Sequence, residues 1–222
     1  ITGTGAGNDL PYLTKIVGKK GTIYAQDISE QMLMAARDRA QTVYGLSEHN
    51  INFSLSDATQ LPYPDNIFDS AYHFGGLNLF SDIKKGISEM DRVVKDGGRI
   101  VFGDEGLSPW LKDTDYGKML IDNNPLYRFD APLTDIPITA RDVNLSWVIN
   151  YCFYIIDYTV SNKPLDINID LQHIGKRGGS IRTRHFGKLE GIDPKLKERL
   201  YAAAEKQDLG RVEFLESLLN DG

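Results

Sequence analysis

Through the first hundred residues, short runs of β-branched and aromatic residues alternate with stretches whose apolar positions recur every three or four residues. That alternation predicts an α/β chain built on a mostly parallel sheet. Asn8 or Asp9 can cap a helix that carries Leu10, Leu13, Ile16 and Val17 on one face and stops at Gly18. A strand is predicted over Thr22 to Gln26. Ser29 caps a second helix with Met32, Leu33, Ala36, Ala40 and Val43 at spacings of three and four, and Ile51 to Ser56 reads as the next strand. Two prolines and an Asp-Asn pair between Leu61 and Asn66 predict a loop, followed by a strand at Phe68 to Phe74. Ile83, Ile87, Met90 and Val94 mark a helix within Asp82 to Lys95, Gly97-Gly98 turns the chain, and Arg99 to Gly103 is a further buried strand.

The second half reads differently. Residues 106–146, with Trp110, several prolines and the polar-aromatic stretch Asn123 to Phe129, are expected to cover the sheet. Trp147 to Val160 and Ile167 to Ile174 suit a closing antiparallel pair, and Asp193 to Gln207 and Arg211 to Leu219 suit terminal helices. With no linker in the pattern, one domain is expected over residues 1–222. The chain opens on Ile1 and runs at once into a glycine-rich loop of the kind that leaves a buried strand, so the first strand is expected to be truncated in this numbering.

Composition narrows the partners. With 25 basic and 31 acidic residues the net charge is −6, which argues against a phosphate-gripping surface for nucleic acid and favours a small-molecule substrate. The longest apolar stretch, Trp147 to Ile156, is about half of what a membrane-spanning helix needs, so no span is expected. Cys152 is the only cysteine, which excludes an intrachain disulfide or a cysteine-rich zinc site and suits a cytoplasmic location. His49, His73, His173 and His185 are scattered, and no metal site is expected from them.

The chemistry begins at Thr2-Gly3-Thr4-Gly5-Ala6-Gly7-Asn8, where glycines let a ligand touch the backbone. A dinucleotide fingerprint wants Gly or Ala three positions after its second glycine; here that position is Asn8, and the glycines alternate at 3, 5 and 7. Asp27 ends the second strand, where a carboxylate can accept from both hydroxyls of a ribose, and Asp57 ends the next beside Ala58. Taken alone, Asp27 also suits a cap of the following helix and Asp57 a cap of a turn. Ligands of open α/β sheets sit beyond the carboxyl ends of strands, which gathers Gly5, Asp27 and Asp57 around one crevice.

On these residues the chain resembles the class I S-adenosylmethionine-dependent methyltransferases, in particular the ubiquinone and menaquinone biosynthesis C-methyltransferases. The resemblance covers residues 1–105. It rests on the glycine loop, on Asp27-Ile28-Ser29 with Met32, and on Asp57-Ala58 leading into Leu61-Pro62-Tyr63-Pro64-Asp65-Asn66-Ile67-Phe68-Asp69. The run Glu89-Met90-Asp91-Arg92-Val93-Val94-Lys95-Asp96-Gly97-Gly98-Arg99 completes it. The resemblance implies a Rossmann-like sheet of seven strands, mostly parallel with an antiparallel closing hairpin, and S-adenosylmethionine as cofactor. It also implies that Gly3, Gly5 and Gly7 approach the methionine part, that Asp27 holds the ribose, and that Ile28 and Met32 flank the adenine. Asp57 would accept from the adenine amino group with Ala58 against the ring, and His73 would border the sulfonium. Thr2 departs from the family, which usually carries an acidic residue there to help hold the cofactor's amino group.

Methyl transfer is an in-line displacement whose main demand is alignment, so a dedicated base is optional. His73, before Gly75-Gly76, is the first candidate for a base toward a phenol or hydroquinone acceptor, with Asp104 and Glu105 behind it. Lys176, Arg177, Arg182, Arg184, His185 and Lys188 read as a solvated hairpin or as a grip for an anionic substrate group. The aromatic residues Trp110, Tyr127, Phe129, Trp147, Tyr151, Phe153 and Tyr154 either fill a core or wall a site for a flat acceptor. Three other functions stay open: non-methyl chemistry with the same cofactor, a nicotinamide enzyme, and a non-catalytic nucleoside-binding scaffold.

Overall fold

The computed structural model describes residues 1–47, 49–174, 179–186 and 193–220. Pro11 in its first turn and Gly18 at its end, with φ +72°, bound helix α1 (Leu10–Val17). Strand β1 (Thr22–Asp27) pairs in parallel with β2 (Asn50–Leu55), and α2 (Glu30–Thr42) crosses between them, capped by the Ser29 hydroxyl accepting from Met32 N–H. Leu10, Ile23, Ala25, Ala40 and Leu46 form the apolar core of this part.

Strand β3 (Phe68–Phe74) runs parallel to β4 (Val94–Glu105), with α3 (Ile83–Val93) between them. Asp82 caps α3 by accepting from Lys85 N–H, and the helix buries Ile87, Met90 and Val93. They meet Ile100, Phe102, Tyr154 and Ile156 in a second core. Gly97-Gly98 does not end the strand: β4 runs on through a register shift there.

The crossover loop ahead of β3 is held by one side chain. Arg92 donates to the carboxylates of Glu89 and Asp65 and to the carbonyls of Leu61 (3.1 Å) and Tyr63 (2.8 Å), which explains why the two separated sequence motifs occur together. Arg92→Met is expected to destabilise the protein by about 1–2 kcal/mol, since the site is partly solvated. A urea titration reads this as a lower midpoint, and an unchanged midpoint would mean that packing alone holds the loop.

After the cover segment, which holds α4 (Asp115–Asn123), strands β5 (Arg141–Val148) and β6 (Phe153–Thr159) form an antiparallel hairpin. Strand β6 pairs antiparallel with β4, giving the order β3-β4-β6-β5. This corrects the expected closing pair. The apolar run from Trp147 is broken by Ile149, Asn150 and Tyr151, all at positive φ, so its first part belongs to β5, while residues 167–174 form no strand. The cover accordingly ends before Arg141.

The expected seven-stranded sheet is not seen among the described residues, which form two hydrogen-bonded sheets of two and four strands. Residues 1–4 lace them together. Thr2 N–H donates to Tyr72 O on β3 (3.0 Å), Thr4 N–H donates to Gln26 O on β1 (2.8 Å), and Gln26 N–H donates to Ile1 O (3.0 Å). Along this seam, between β1 and β3, lies a cleft of about 110 Å³ lined by Thr2, Tyr24, Gln26, Tyr63, Phe68 and Tyr72.

The chain divides into two compact units, Ile1–Leu165 and Asp166–Gly222. The second carries α5 (Ile181–Phe186), α6 (Pro194–Lys206) and α7 (Arg211–Asn220). Helix α5 replaces part of the expected basic hairpin, because the Ser180 and Thr183 side chains bond one another's backbone and start a helical turn. No helix among the described residues is long and apolar enough to cross a membrane.

Candidate functional site

The glycine loop is fastened to the tip of β1 by side chains as well as backbone. Gly3 N–H donates to Gln26 Oε1 (2.9 Å), whose amide donates onward to Ser56 O (3.0 Å), and Gly5 N–H donates to Asp27 Oδ2 (2.7 Å). Gln26 did not stand out in the sequence; the structure buries its amide at the end of β1 beside Asp27. A Cβ on Gly7 would lie 2.9 Å from Leu10 Cδ1 and 3.2 Å from Ala36 Cβ, so that glycine lets the loop press against α1 and α2. Gly5 is the opposite case: at φ +52° its Cβ position meets nothing within 4 Å, leaving a bare backbone open to a ligand.

Asp27 is buried, and its second oxygen accepts from Ser29 N–H (2.8 Å), so it serves the turn as well as the loop. The helix cap expected of it is Ser29 instead, and each Asp27 oxygen retains a lone pair after its backbone bond. Asp57 Oδ1 accepts from the Thr59 N–H and hydroxyl (2.8 Å each), which hold the carboxyl below its ordinary range. Its Oδ2 has no hydrogen bond among the described residues. Between the two carboxylates Ile28 is 72% exposed and Met32 47%, while Ala58 is buried beneath.

His73 is 1% exposed. Its Nδ1 lies 2.8 Å from Thr2 O, and a carbonyl can only accept, so Nδ1 carries the proton and Nε2 keeps a buried lone pair with no partner. Burial pushes the imidazole below its ordinary value, which favours the neutral ring at pH 7. Phe80 meets it edge-on at 5.1 Å, and a Cβ on Gly3 would sit 3.1 Å from its Cε1. The ring thus underlies the loop rather than facing solvent. Thr2 is buried with it, its hydroxyl 3.2 Å from Nδ1 and 3.5 Å from Met90 Sδ.

Beside it, Asp104 is fully buried at the end of β4. Its oxygens accept from Gly76 N–H (3.1 Å), Asn78 N–H (2.5 Å) and Glu105 N–H (2.8 Å), which fixes the turn after β3. A Cβ on Gly75 or Gly76 would meet open space. The aromatic residues of the second half do come together: Trp110 packs edge-on against Trp147 (6.0 Å) and Tyr151 (6.3 Å), Trp147 against Tyr154, and Tyr127 against Phe153. Phe129 is among the exposed large side chains. Of the basic cluster, Arg182 pairs with Asp170 through two bonds, Arg184 and His185 stand on α5, and Lys176, Arg177 and Lys188 lie outside the described residues.

One end of the first unit therefore collects Gly3, Gly5, Asp27, Asp57, Asp104 and Glu105. None of the four carboxyls is ion-paired among the described residues. Known proteins are similar to this chain in sequence and fold. A methyltransferase domain family matches residues 2–102. The ubiquinone/menaquinone biosynthesis C-methyltransferase UbiE of Pasteurella multocida is 27% identical over 166 residues, covering 69% of this chain and 61% of that protein. The UbiE of Photorhabdus laumondii is 33% identical over 97 residues, 44% of this chain and 38% of its own length. This chain thus spans less than two thirds of these relatives. The solved CurJ carbon methyltransferase shares the fold, with a TM-score of 0.54 at 14% identity over 72% of this chain and 47% of that one. Glycine loop, strand-tip carboxylates and sequence likeness agree: residues 2–102 resemble a methyltransferase domain, with UbiE among the similar proteins.

Proposed function

We propose that this chain transfers the methyl group of S-adenosylmethionine to a small electron-rich acceptor, a hydroquinone or a similar aromatic metabolite. The observation that carries the reading is the pair of strand-tip carboxyls Asp27 and Asp57, neither ion-paired among the described residues, beside a bare glycine loop. Such a site favours a sulfonium and disfavours the pyrophosphate of a dinucleotide. The cofactor supplies an activated methyl on a positively charged sulfur. For the chain's own part, Asp27 accepts from the ribose hydroxyls, and Gly3 and Gly5 let the methionine portion lie on backbone. Ile28 and Met32 cover the adenine faces, whose burial would explain why two large apolar side chains stand exposed here. His73 supports the loop from beneath. The acceptor class rests on the names of the UbiE relatives and on the open space over Gly75-Gly76.

Incubation of the chain with S-adenosylmethionine and a panel of quinols and phenols is expected to give S-adenosylhomocysteine and a product heavier by one methylene unit. Cofactor bound and consumed without a methylated product would point to other chemistry on the same cofactor, and binding of NAD in its place would overturn the reading.

Asp57 yields a sharper test of the nucleoside placement. Wild-type protein is expected to bind S-adenosylhomocysteine roughly tenfold more tightly than S-inosylhomocysteine, which lacks the amino donor. Asp57→Ala should erase the difference. Calorimetric titration of both ligands measures it, and equal discrimination by variant and wild type would remove Asp57 from the adenine.

A further inference from the structure

The far end of the glycine loop is held by a cation that no carboxylate neutralises. Arg39, half-buried on α2, donates through Nη1 to Ala6 O (3.2 Å) and to Asn8 Oδ1 (2.7 Å), so one nitrogen spans both sides of Gly7. Its Nη2 donates to the Tyr44 hydroxyl, and the guanidinium carbon lies 5.2 Å from the centre of the Tyr44 ring. Tyr44 N–H in turn donates to Arg39 O (2.9 Å), which fixes ring and guanidinium together. Arg39 has no ion pair among the described residues. Asp9, the acid that follows Asn8, turns one carboxylate oxygen to the Tyr72 hydroxyl on β3 (3.0 Å).

The contact with Arg39 settles which way the Asn8 amide points. A guanidinium can only donate, so the Asn8 atom that faces it is the carbonyl oxygen, and the NH2 group is turned away. That NH2 has no partner among the described residues, and Asn8 is exposed. The loop therefore ends in a donor whose orientation is set from behind by a positive charge, while Asp27 and Asp57 stand at the strand tips. S-adenosylmethionine carries its only negative group, the carboxylate, at the methionine end, and its hydroxyl and amino donors on the nucleoside. The two ends of the site match the two ends of the ligand.

We propose that Asn8 binds the carboxylate of the cofactor's methionine part through its side-chain NH2, and that Arg39 is the positioning residue that orients this amide and supplies the opposing charge. The inference rests on the cofactor reading above.

Two ligands isolate the contact: S-adenosylhomocysteine and its decarboxylated form, which keeps the amino group. In calorimetric titration of the whole chain, Asn8→Ala is expected to weaken S-adenosylhomocysteine by about tenfold and to leave the decarboxylated ligand within about twofold of wild type. Asn8→Asp is the sharper variant. It keeps an oxygen for Arg39 and adds a charge to that bond, but it replaces the donor NH2 with an acceptor. S-adenosylhomocysteine should therefore bind Asn8→Asp at least as weakly as Asn8→Ala, while the decarboxylated ligand, with its ammonium group, loses nothing. Arg39→Lys keeps a charge without the fork that reaches Ala6, Asn8 and Tyr44 together, so the preference for the ligand with the carboxylate should shrink several-fold. A residue that only held the loop shut would give near wild-type affinity in Asn8→Asp, and that result would overturn the proposal. Equal weakening of both ligands in Asn8→Ala, or an unchanged preference in Arg39→Lys, would overturn it too. Failure of the wild type to bind either ligand would instead overturn the cofactor reading on which it stands.

Discussion

Asp27→Ala is expected to weaken S-adenosylmethionine binding by about 100-fold or more, the largest effect of any single change at the nucleoside. Two charge-assisted hydrogen bonds to the ribose are lost, each worth about 1.5–3 kcal/mol, and every 1.4 kcal/mol is about tenfold in affinity. The loop also loses its anchor, because Gly5 N–H and Ser29 N–H both donate to this carboxylate. Asp27→Asn separates the two contributions. Its amide oxygen can keep one backbone donor but its NH2 cannot accept the other, so binding should recover only in part. Calorimetry on variants with unchanged circular dichroism measures both, and wild-type affinity in a folded Asp27→Ala would place the ribose elsewhere.

Asp104→Ala should have the largest effect on stability. It strands the N–H groups of Gly76, Asn78 and Glu105 around a fully buried position, at about 1–3 kcal/mol for each donor left without a partner. With partial relaxation the loss is expected near 3–5 kcal/mol, a large share of the roughly 5–15 kcal/mol that holds a domain together. Asp104→Asn keeps one acceptor oxygen and should lose less. Urea unfolding gives both values; a loss under about 1 kcal/mol in Asp104→Ala would show that water already satisfies these amides.

The first half of the fold was legible in the sequence because its signals are periodic and local. Helices α2 and α3 start at their expected caps Ser29 and Asp82, α1 lies where its apolar positions put it although Asp9 makes no side-chain cap bond and Ile16 and Val17 are exposed, and β3 runs from Phe68 to Phe74 as the letters suggest. Strand β5 was hidden for a physical reason. It is an edge strand whose solvent-facing positions, Asp142, Asn144 and Ser146, dilute the apolar alternation, and its turn is made by Ile149, Asn150 and Tyr151 without glycine or proline. The placement of His73 could have been foreseen: strand alternation puts it on the same face as Ala71, which is buried. The roles of Gln26 and Asp104 could not, since bonds from side-chain oxygens to distant backbone N–H groups leave no trace in residue spacing.

One consequence follows from the stretch that laces the two sheets. Thr2 and Thr4, whose N–H groups donate to Tyr72 O and Gln26 O, flank the first glycine of the loop, so the grip proposed for the nucleoside and the joint between the two sheets are the same few atoms. On the proposed placement, a bound cofactor would act as a rivet there. Amide exchange at Thr2, Thr4 and Gln26 should slow before that of any other backbone groups as the ligand is added, and the enzyme should resist unfolding in proportion to how full that rivet hole is kept.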